Sequence, residues 1–103
     1  MTLKQYQDRA RVTAIYPKAQ SIIYPALGLA GEAGEVAEKV KKWIRDGNLD
    51  RDAIAKELGD VMWYIAAMAT DLDLDLDRIA DMNIQKLADR EMRGKIRGSG
   101  DDR

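Results

Sequence analysis

Residues 26 to 93 have the apolar spacing of helices, and only two short breaks interrupt them. The first break is Asp46-Gly47-Asn48, and the second is the run DLDLDLD that begins at Asp71. On both sides of each break apolar residues recur every three or four positions, which is the period of an amphipathic helix. Both prolines of the chain precede this region. The pattern therefore favours an all-α fold over any arrangement of strands.

These breaks predict four helices with short connections, which is the arrangement of a four-helix bundle. Residues 1–93 would form one helical domain. Residues 17–25, which begin and end with proline, would form a connector, and the Gly-rich residues 94–103 a flexible tail. The predicted helices are one within residues 2–16 capped by Thr2, one from Ala26 to Arg45, one starting after Asn48 or Asp50 and ending near Thr70, and one capped by Asp73 or Asp75 and ending near Arg93.

The composition excludes several kinds of function. A net charge of −1 provides no field for holding a nucleic acid by its backbone, so we expect no nucleic acid partner. The 103 residues contain no cysteine and no histidine, so any metal must be held by oxygen ligands, which suits Mg²⁺ or, as a substitute, Mn²⁺. No apolar run is long enough to span a membrane. We expect a cytoplasmic protein with no membrane partner.

Two pairs of acids lie where the helices should pack. Glu32 and Glu35 are three residues apart on the second helix, and Glu57 and Asp60 repeat that spacing on the third. Residues three apart share a helix face, so each pair can approach one ion. The third helix is apolar almost all round, which predicts that it is the buried central helix and that its acids lie in an apolar surface. A divalent cation between the pairs would relieve their repulsion.

Structural explanations compete with this metal site. Glu35 could pair with Lys39 one helical turn away, and Glu38 with Lys41 or Lys42. The acids of the third helix could be neutralised by cations of the fourth helix instead of a metal.

The fourth helix carries a polar group on the face that should turn inward. On a helical wheel Arg90 lies within about 40° of Asn83, and Lys86 about 60° from it. An arginine and a lysine one turn apart suit phosphate oxygens, because arginine binds them as a fork and lysine as a point charge. Equally, both side chains could extend along apolar neighbours to reach water.

Together these motifs resemble a known family. The stretches GLAGEAGEVAEKVKK, KELGDVMWYIAAMA and NIQKLADR are similar to those of the MazG-like all-α nucleoside triphosphate pyrophosphohydrolases. The resemblance covers about Gly28 to Arg90. Many members carry a further glutamate just before the first acid pair, where this chain has Gly31.

The resemblance implies cleavage of a nucleoside triphosphate between its α and β phosphates, with Mg²⁺, as part of nucleotide house-cleaning. The base and sugar stay open, including canonical, damaged and signalling nucleotides. It also implies a homodimer or a tetramer of dimers. Transferred residue by residue, it predicts the metal ligands Glu32, Glu35, Glu57 and Asp60, a catalytic base that is Glu32 or Glu35, and substrate contacts from Asn83, Lys86, Arg90 and Lys39.

Aromatic residues could hold the base of the nucleotide. Trp63 follows Asp60 by three residues and could stack on a base, although packing at a subunit interface is the more common role for such a residue. Tyr16, just before the predicted connector, and Tyr24, within it, could form a lid over the base. The alternative to an enzyme is a non-catalytic helical oligomer, an interaction module whose acids are paired internally.

Overall fold

The computed structural model describes all 103 residues and contains helices without strands, which confirms the all-α prediction. No helix is long and apolar enough to cross a membrane. The elements in chain order are α1 (Leu3–Arg11), a short 3-10 turn (Lys18–Gln20), α2 (Ile23–Asp46), α3 (Arg51–Asp71) and α4 (Leu76–Met92).

Local sequence explains where these helices begin and end. Thr2 and Gln5 form a reciprocal capping pair, in which each side chain accepts a hydrogen bond from the other residue's backbone N–H. The side chain of Asp50 accepts the N–H of Ala53 at 3.0 Å, and Asp75 caps α4 in a similar way. Gly47 ends α2 with a φ of 79°, a left-handed conformation that glycine adopts readily.

Two helix boundaries differ from the prediction. α1 ends at Arg11, so residues 12–22 form the connector to α2. α2 begins at Ile23, three residues earlier than predicted, and includes Pro25 in its first turn. The first four N–H groups of a helix have no partner within it, so proline is tolerated there. The proline therefore does not mark the end of the loop.

Side chains from three helices form the small core. α2 and α3 pack against each other, while α1 packs on α3 and α4 on α1. Gln7 of α1 is buried and donates to the hydroxyl of Thr70 and the carbonyl of Leu74, and it accepts the N–H of Leu76. It thereby fixes α1 to the turn between α3 and α4. The apolar side chains around this point are Tyr6, Ala10, Ala66, Ala69, Leu76 and Ile79.

The single chain is open. Only 7 of 103 residues are buried, and the radius of gyration is 16.3 Å, against about 13 Å for a compact domain of this size. α3 is central, but Leu58 and Met62 are 49% and 43% exposed, so the prediction that it is buried all round is wrong for one chain. Assembly into a homodimer or tetramer would cover this surface and stays a prediction.

The C-terminal residues 94–103 lie against α4. Asp101 contacts Lys86 through an ion pair of 2.9 Å, and Arg103 donates to the carbonyls of Lys95 and Ile96. The flexibility of this segment, and the domain limit at residue 93, stay predictions.

Candidate metal centre

Three of the four predicted metal ligands meet between α2 and α3. Glu32 projects from α2 and faces Glu57 and Asp60 of α3, and each offers an oxygen within 4.8 Å of the other two. We call Glu32, Glu57 and Asp60 the acid group. Glu57 and Asp60 are one helical turn apart, so both side chains reach the same side of α3. Two helices thus bring these carboxylates together within one chain.

The acid group lies in a partly open cleft. Glu32 and Glu57 are half-buried and Asp60 is exposed. Partial removal from water raises the pKa of Glu32, and Asp60 and Glu57 raise it further by charge repulsion and a hydrogen bond. The prediction that the acids of α3 lie in a buried apolar surface is therefore wrong, but their mutual repulsion is present.

No side-chain cation neutralises the acid group. The ion pairs of the structure involve other acids, including Glu38, which pairs with Lys41 at 2.8 Å as the sequence suggested. Carboxylate oxygens are the ligands that hard divalent cations prefer. The residues present therefore fit a divalent metal.

A cleft of about 340 Å³ adjoins these carboxylates. It is lined by Thr13, Glu32, Asp60, Trp63 and Tyr64, and we call it the acid cleft. The indole Nε1 of Trp63 donates to the hydroxyl of Thr13 at 2.8 Å, and the Trp63 ring stands edge-on to Tyr64 with centroids 5.0 Å apart. Trp63 thus lies beside the acids, and its stacking on a base stays a prediction.

Sequence reasoning missed Thr13, Tyr64 and Gly28. The Tyr64 ring lies so close to α2 that a Cβ on Gly28 would stand 2.1 Å from a ring carbon. Gly28 therefore permits the contact that places Tyr64 in the acid cleft. A glycine inside a helix lowers stability relative to alanine, so its presence in the predicted second helix was a signal of a close contact at that position. Thr13 was not singled out, because its spacing placed it within the predicted first helix, whereas α1 ends at Arg11.

Glu35 lies outside the acid group. It is exposed on α2, one turn after Glu32, and forms no ion pair with Lys39. Lys39 lines a separate cavity near the turn between α2 and α3, together with Trp43 and Asp50. Within one chain neither residue lines the acid cleft.

The polar residues of α4 do not reach the acid group. Asn83 lines cavities formed mainly by α4 residues, with Leu3 of α1 and Met62 of α3 on one side. Lys86 and Arg90 both bind Asp101 of the C-terminal segment, and Arg90 also donates to the Asp101 carbonyl. α4 packs on α1. Neutralisation of the acid group by these two cations is therefore not observed.

Comparison with known proteins gives one family match and one similar protein. The family model described as "MazG nucleotide pyrophosphohydrolase domain" matches residues 20–93. The chain is also 47% identical to the "Gene 37 protein" of Mycobacterium phage L5, over 95% of this chain and 96% of that protein. No solved structure matches the chain. The matched region includes the acid group and all of α2, α3 and α4, so the chain belongs to the MazG nucleotide pyrophosphohydrolase family.

Proposed function

We propose that the protein is a Mg²⁺-dependent nucleoside triphosphate pyrophosphohydrolase that acts in nucleotide house-cleaning in the cytoplasm. It would cleave a nucleoside or deoxynucleoside triphosphate between the α and β phosphates, giving the monophosphate and pyrophosphate. The observation that carries the proposal is the acid group, whose oxygens from two helices lie within 4.8 Å of one another without a neutralising side chain.

Glu32, Glu57 and Asp60 would hold the metal, with Mn²⁺ as a possible substitute. When bound, the metal would neutralise phosphate charge and make a water molecule more acidic. Such neutralisation and positioning provide most of the catalysis in phosphoryl transfer.

Glu35 is our candidate for the general base. It projects from α2 one turn after Glu32 but lies outside the acid group, so its carboxylate is free to accept a proton. The oxygen of a water molecule would bond to a phosphorus of the α–β bridge while its proton passes to Glu35. The bond from that phosphorus to the bridging oxygen would break, and the leaving phosphate group would keep that oxygen. The alternative role of Glu35 as a fourth metal ligand would require that Glu35→Gln lower Mg²⁺ affinity.

Trp63 would contact the base. Its ring lines the acid cleft beside Asp60, and an indole face can stack on any nucleobase. Because such stacking does not depend on the identity of the nucleobase, Trp63 does not select one base.

Asn83, Lys86, Arg90 and Lys39 would contact phosphate or sugar in an assembly of two or four copies. In the single chain these residues lie away from the acid group, whereas large apolar side chains such as Leu27 and Ile84 are 70% and 64% exposed. A second copy would cover such surface and could bring its α4 to the acid cleft. Light scattering on the purified chain tests the assembly, and a monomer at micromolar concentration would contradict it.

The test of the function is pyrophosphate release from a panel of nucleoside and deoxynucleoside triphosphates, with Mg²⁺ and with EDTA. The variant Glu57→Gln removes one carboxylate of the acid group. Its control is Glu38→Gln, whose carboxylate pairs with Lys41 on the polar side of α2. We expect release that requires Mg²⁺, survives in Glu38→Gln and is lost in Glu57→Gln.

A folded chain that releases no pyrophosphate and binds no Mg²⁺ would refute the proposal. The non-catalytic interaction module would then be the better description.

A further inference from the structure

A buried carboxylate at the end of α3 holds the connector formed by residues 12–22. The side chain of Asp71 is 1% exposed. It accepts hydrogen bonds from Nη1 of Arg11 at 2.8 Å, from the hydroxyl of Tyr16 at 2.7 Å and from the backbone N–H of Ile22 at 2.9 Å. Arg11 is the last residue of α1, and the other two donors belong to the connector. Asp71 thus ties both ends of the connector to α3.

One of these bonds secures a strained backbone. Ile22 has a φ of 71° and a ψ of −51°, and the N–H of Ile23 donates to the carbonyl of Ser21 in a tight three-residue turn. A β-branched residue rarely adopts positive φ, because its side chain crowds the backbone. Such a conformation persists only where surrounding contacts hold it. The carboxylate of Asp71 supplies that contact and sets the point where α2 begins.

The same network has a favourable electrostatic balance. Burial raises the pKa of Asp71, but the hydrogen bonds from Ile22, Tyr16 and Arg11 outweigh burial, so the pKa lies below its ordinary value. The guanidinium of Arg11 also lies 5.4 Å from the centre of the Tyr16 ring. The carboxylate is therefore charged and fully bonded at neutral pH.

A row of tyrosines leads from this network to the acid cleft. The ring of Tyr16 stacks on that of Tyr24 with centroids 4.9 Å apart, and Tyr24 lies 6.4 Å from Tyr64. Tyr64 lines the acid cleft together with Glu32 and Asp60. The connector therefore supports one wall of the cleft from behind, instead of forming the free lid that the sequence suggested.

The connector also supplies part of that wall directly. Thr13 lines the acid cleft and accepts the hydrogen bond of the Trp63 indole. Trp63 is the proposed contact for the base, and its hydrogen bond to Thr13 fixes the orientation of the ring. The N–H and the hydroxyl of Thr13 both donate to the carbonyl of Ala10, so its position depends on the end of α1, which Asp71 holds through Arg11.

We propose that Asp71 is a positioning residue for nucleotide binding, because it fixes the end of α1 and the connector, which place Thr13 in the acid cleft and Tyr16 behind its aromatic wall. This inference rests on the proposed function, since the wall would receive the base and sugar of a nucleotide whose phosphates lie at the acid group. Asp71 itself touches neither substrate nor metal. Its loss should weaken nucleotide binding and leave the chemistry at the acid group intact.

The test compares Asp71→Asn and Asp71→Ala with the control Asp8→Asn. Asp8 is an exposed acid of α1 whose side chain pairs only with Lys4, at 3.0 Å, and forms no hydrogen bond with the connector. We expect KM for the best nucleoside triphosphate to rise by about tenfold in Asp71→Ala and less in Asp71→Asn, which keeps one acceptor oxygen. The kcat at saturation and the Mg²⁺ affinity should match those of the unmodified chain and of Asp8→Asn.

Two further measurements keep the test decisive. Affinity for an α,β-imido nucleoside triphosphate, measured by calorimetry, tests Asp71 even if the unmodified chain proves inactive. Failure of the proposed function can therefore be distinguished from failure of the proposal for Asp71. In a Trp43→Phe background, Trp63 is the only tryptophan, and acrylamide should quench its fluorescence more strongly when Asp71 is replaced. If Asp71→Ala does not fold, Tyr16→Phe removes one donor to Asp71 and retains the ring, and it should raise KM slightly.

Unchanged KM and unchanged analogue affinity in folded Asp71 variants would overturn the proposal. So would a loss of Mg²⁺ affinity in parallel with KM, because Asp71 would then support the whole fold and not the nucleotide wall.

Discussion

The acid group and the basic residues of α4 each contain two side chains one helical turn apart, but the structure uses these pairs differently. Glu32 reaches across from α2 to meet Glu57 and Asp60 of α3, because these two helices pack against each other. Lys86 and Arg90 of α4 instead bind Asp101 of the same chain. Spacing along one helix therefore fixes which residues share a face, whereas helix packing decides which faces meet.

The acid group forms within one chain, whereas the basic residues would reach the acid cleft only if α4 moved or if a second copy supplied them. This difference suggests that metal binding and substrate binding can be separated by mutation. The following predictions test that separation, in order of decreasing effect.

The largest effect is expected at α2, from Glu32→Gln and Glu35→Gln. Both should lower kcat by about 100-fold or more. Removing a general base costs a factor of this size, and removing a metal ligand should cost at least as much as the roughly 10–100-fold loss seen when a residue that supports a ligand is replaced. Only Glu32→Gln should also lower Mg²⁺ affinity, because Glu35 lies outside the acid group. Calorimetric Mg²⁺ titration of both variants checks this. Equal losses of affinity would make Glu35 a ligand and leave the base unassigned.

The contact between Gly28 and Tyr64 should be sensitive to a single methyl group. In Gly28→Ala the new Cβ would overlap the Tyr64 ring, and such overpacking costs about 1–3 kcal/mol of unfolding free energy. The control is Gly34→Ala on the same helix, where a Cβ meets nothing within 4 Å. That variant should gain up to about 1 kcal/mol from helix propensity. Urea denaturation measures both, and destabilisation by Gly34→Ala would show that a partner covers this face.

The basic residues of α4 should affect substrate binding and not metal binding. Lys86→Ala and Arg90→Ala should each raise KM by about tenfold, the effect of losing one hydrogen bond to a charged group. Mg²⁺ affinity in the absence of nucleotide should stay unchanged, because neither side chain reaches the acid group. A rise in Mg²⁺ affinity in these variants would mean that the cations act on the acid group after all.

Mg²⁺ binding should depend on pH through Glu32. Because the pKa of Glu32 is raised by partial burial and by Asp60 and Glu57, protons compete with the metal at a higher pH than at an ordinary glutamate. Mg²⁺ affinity should fall as the pH decreases toward this raised pKa, by up to about tenfold per pH unit below it. The free energy of unfolding of the metal-free chain should change in the opposite direction. Because the pKa of Glu32 is higher in the folded chain than in the unfolded chain, this free energy should rise as the pH falls through the raised pKa. Calorimetry over a pH series, with Glu38→Gln as control, measures the dependence, and a flat profile would contradict it.

The smallest effect is expected from Asp101→Asn. Its carboxylate occupies Lys86 and Arg90 but is itself 82% exposed, and exposed ion pairs contribute only about 0–1 kcal/mol. If the same cations bind nucleotide, removing this competitor should lower KM by no more than about fivefold. Asp102→Asn, one residue further, is the matched control. A higher KM in Asp101→Asn would indicate that the C-terminal segment orders α4 for binding.

Several parts of the protein follow from the sequence alone. The caps at Thr2, Asp50 and Asp75 and the glycine that ends α2 were all predictable, because capping depends on one side chain and its adjacent backbone. The approach of Glu32 to Glu57 and Asp60 was also predictable, since the short turn between α2 and α3 leaves few ways to pack two apolar helix faces.

Other parts were decided only by tertiary structure. The connector begins at residue 12, inside the stretch predicted as the first helix, and its path depends on Asp71, which lies about fifty residues away in sequence. The packing of α4 on α1 instead of beside the acid group depends on contacts such as those of Gln7, which involve three separate segments. Local sequence sets helix limits and faces through near-neighbour interactions, whereas long-range contacts set the positions of whole elements, and no short-range pattern records them.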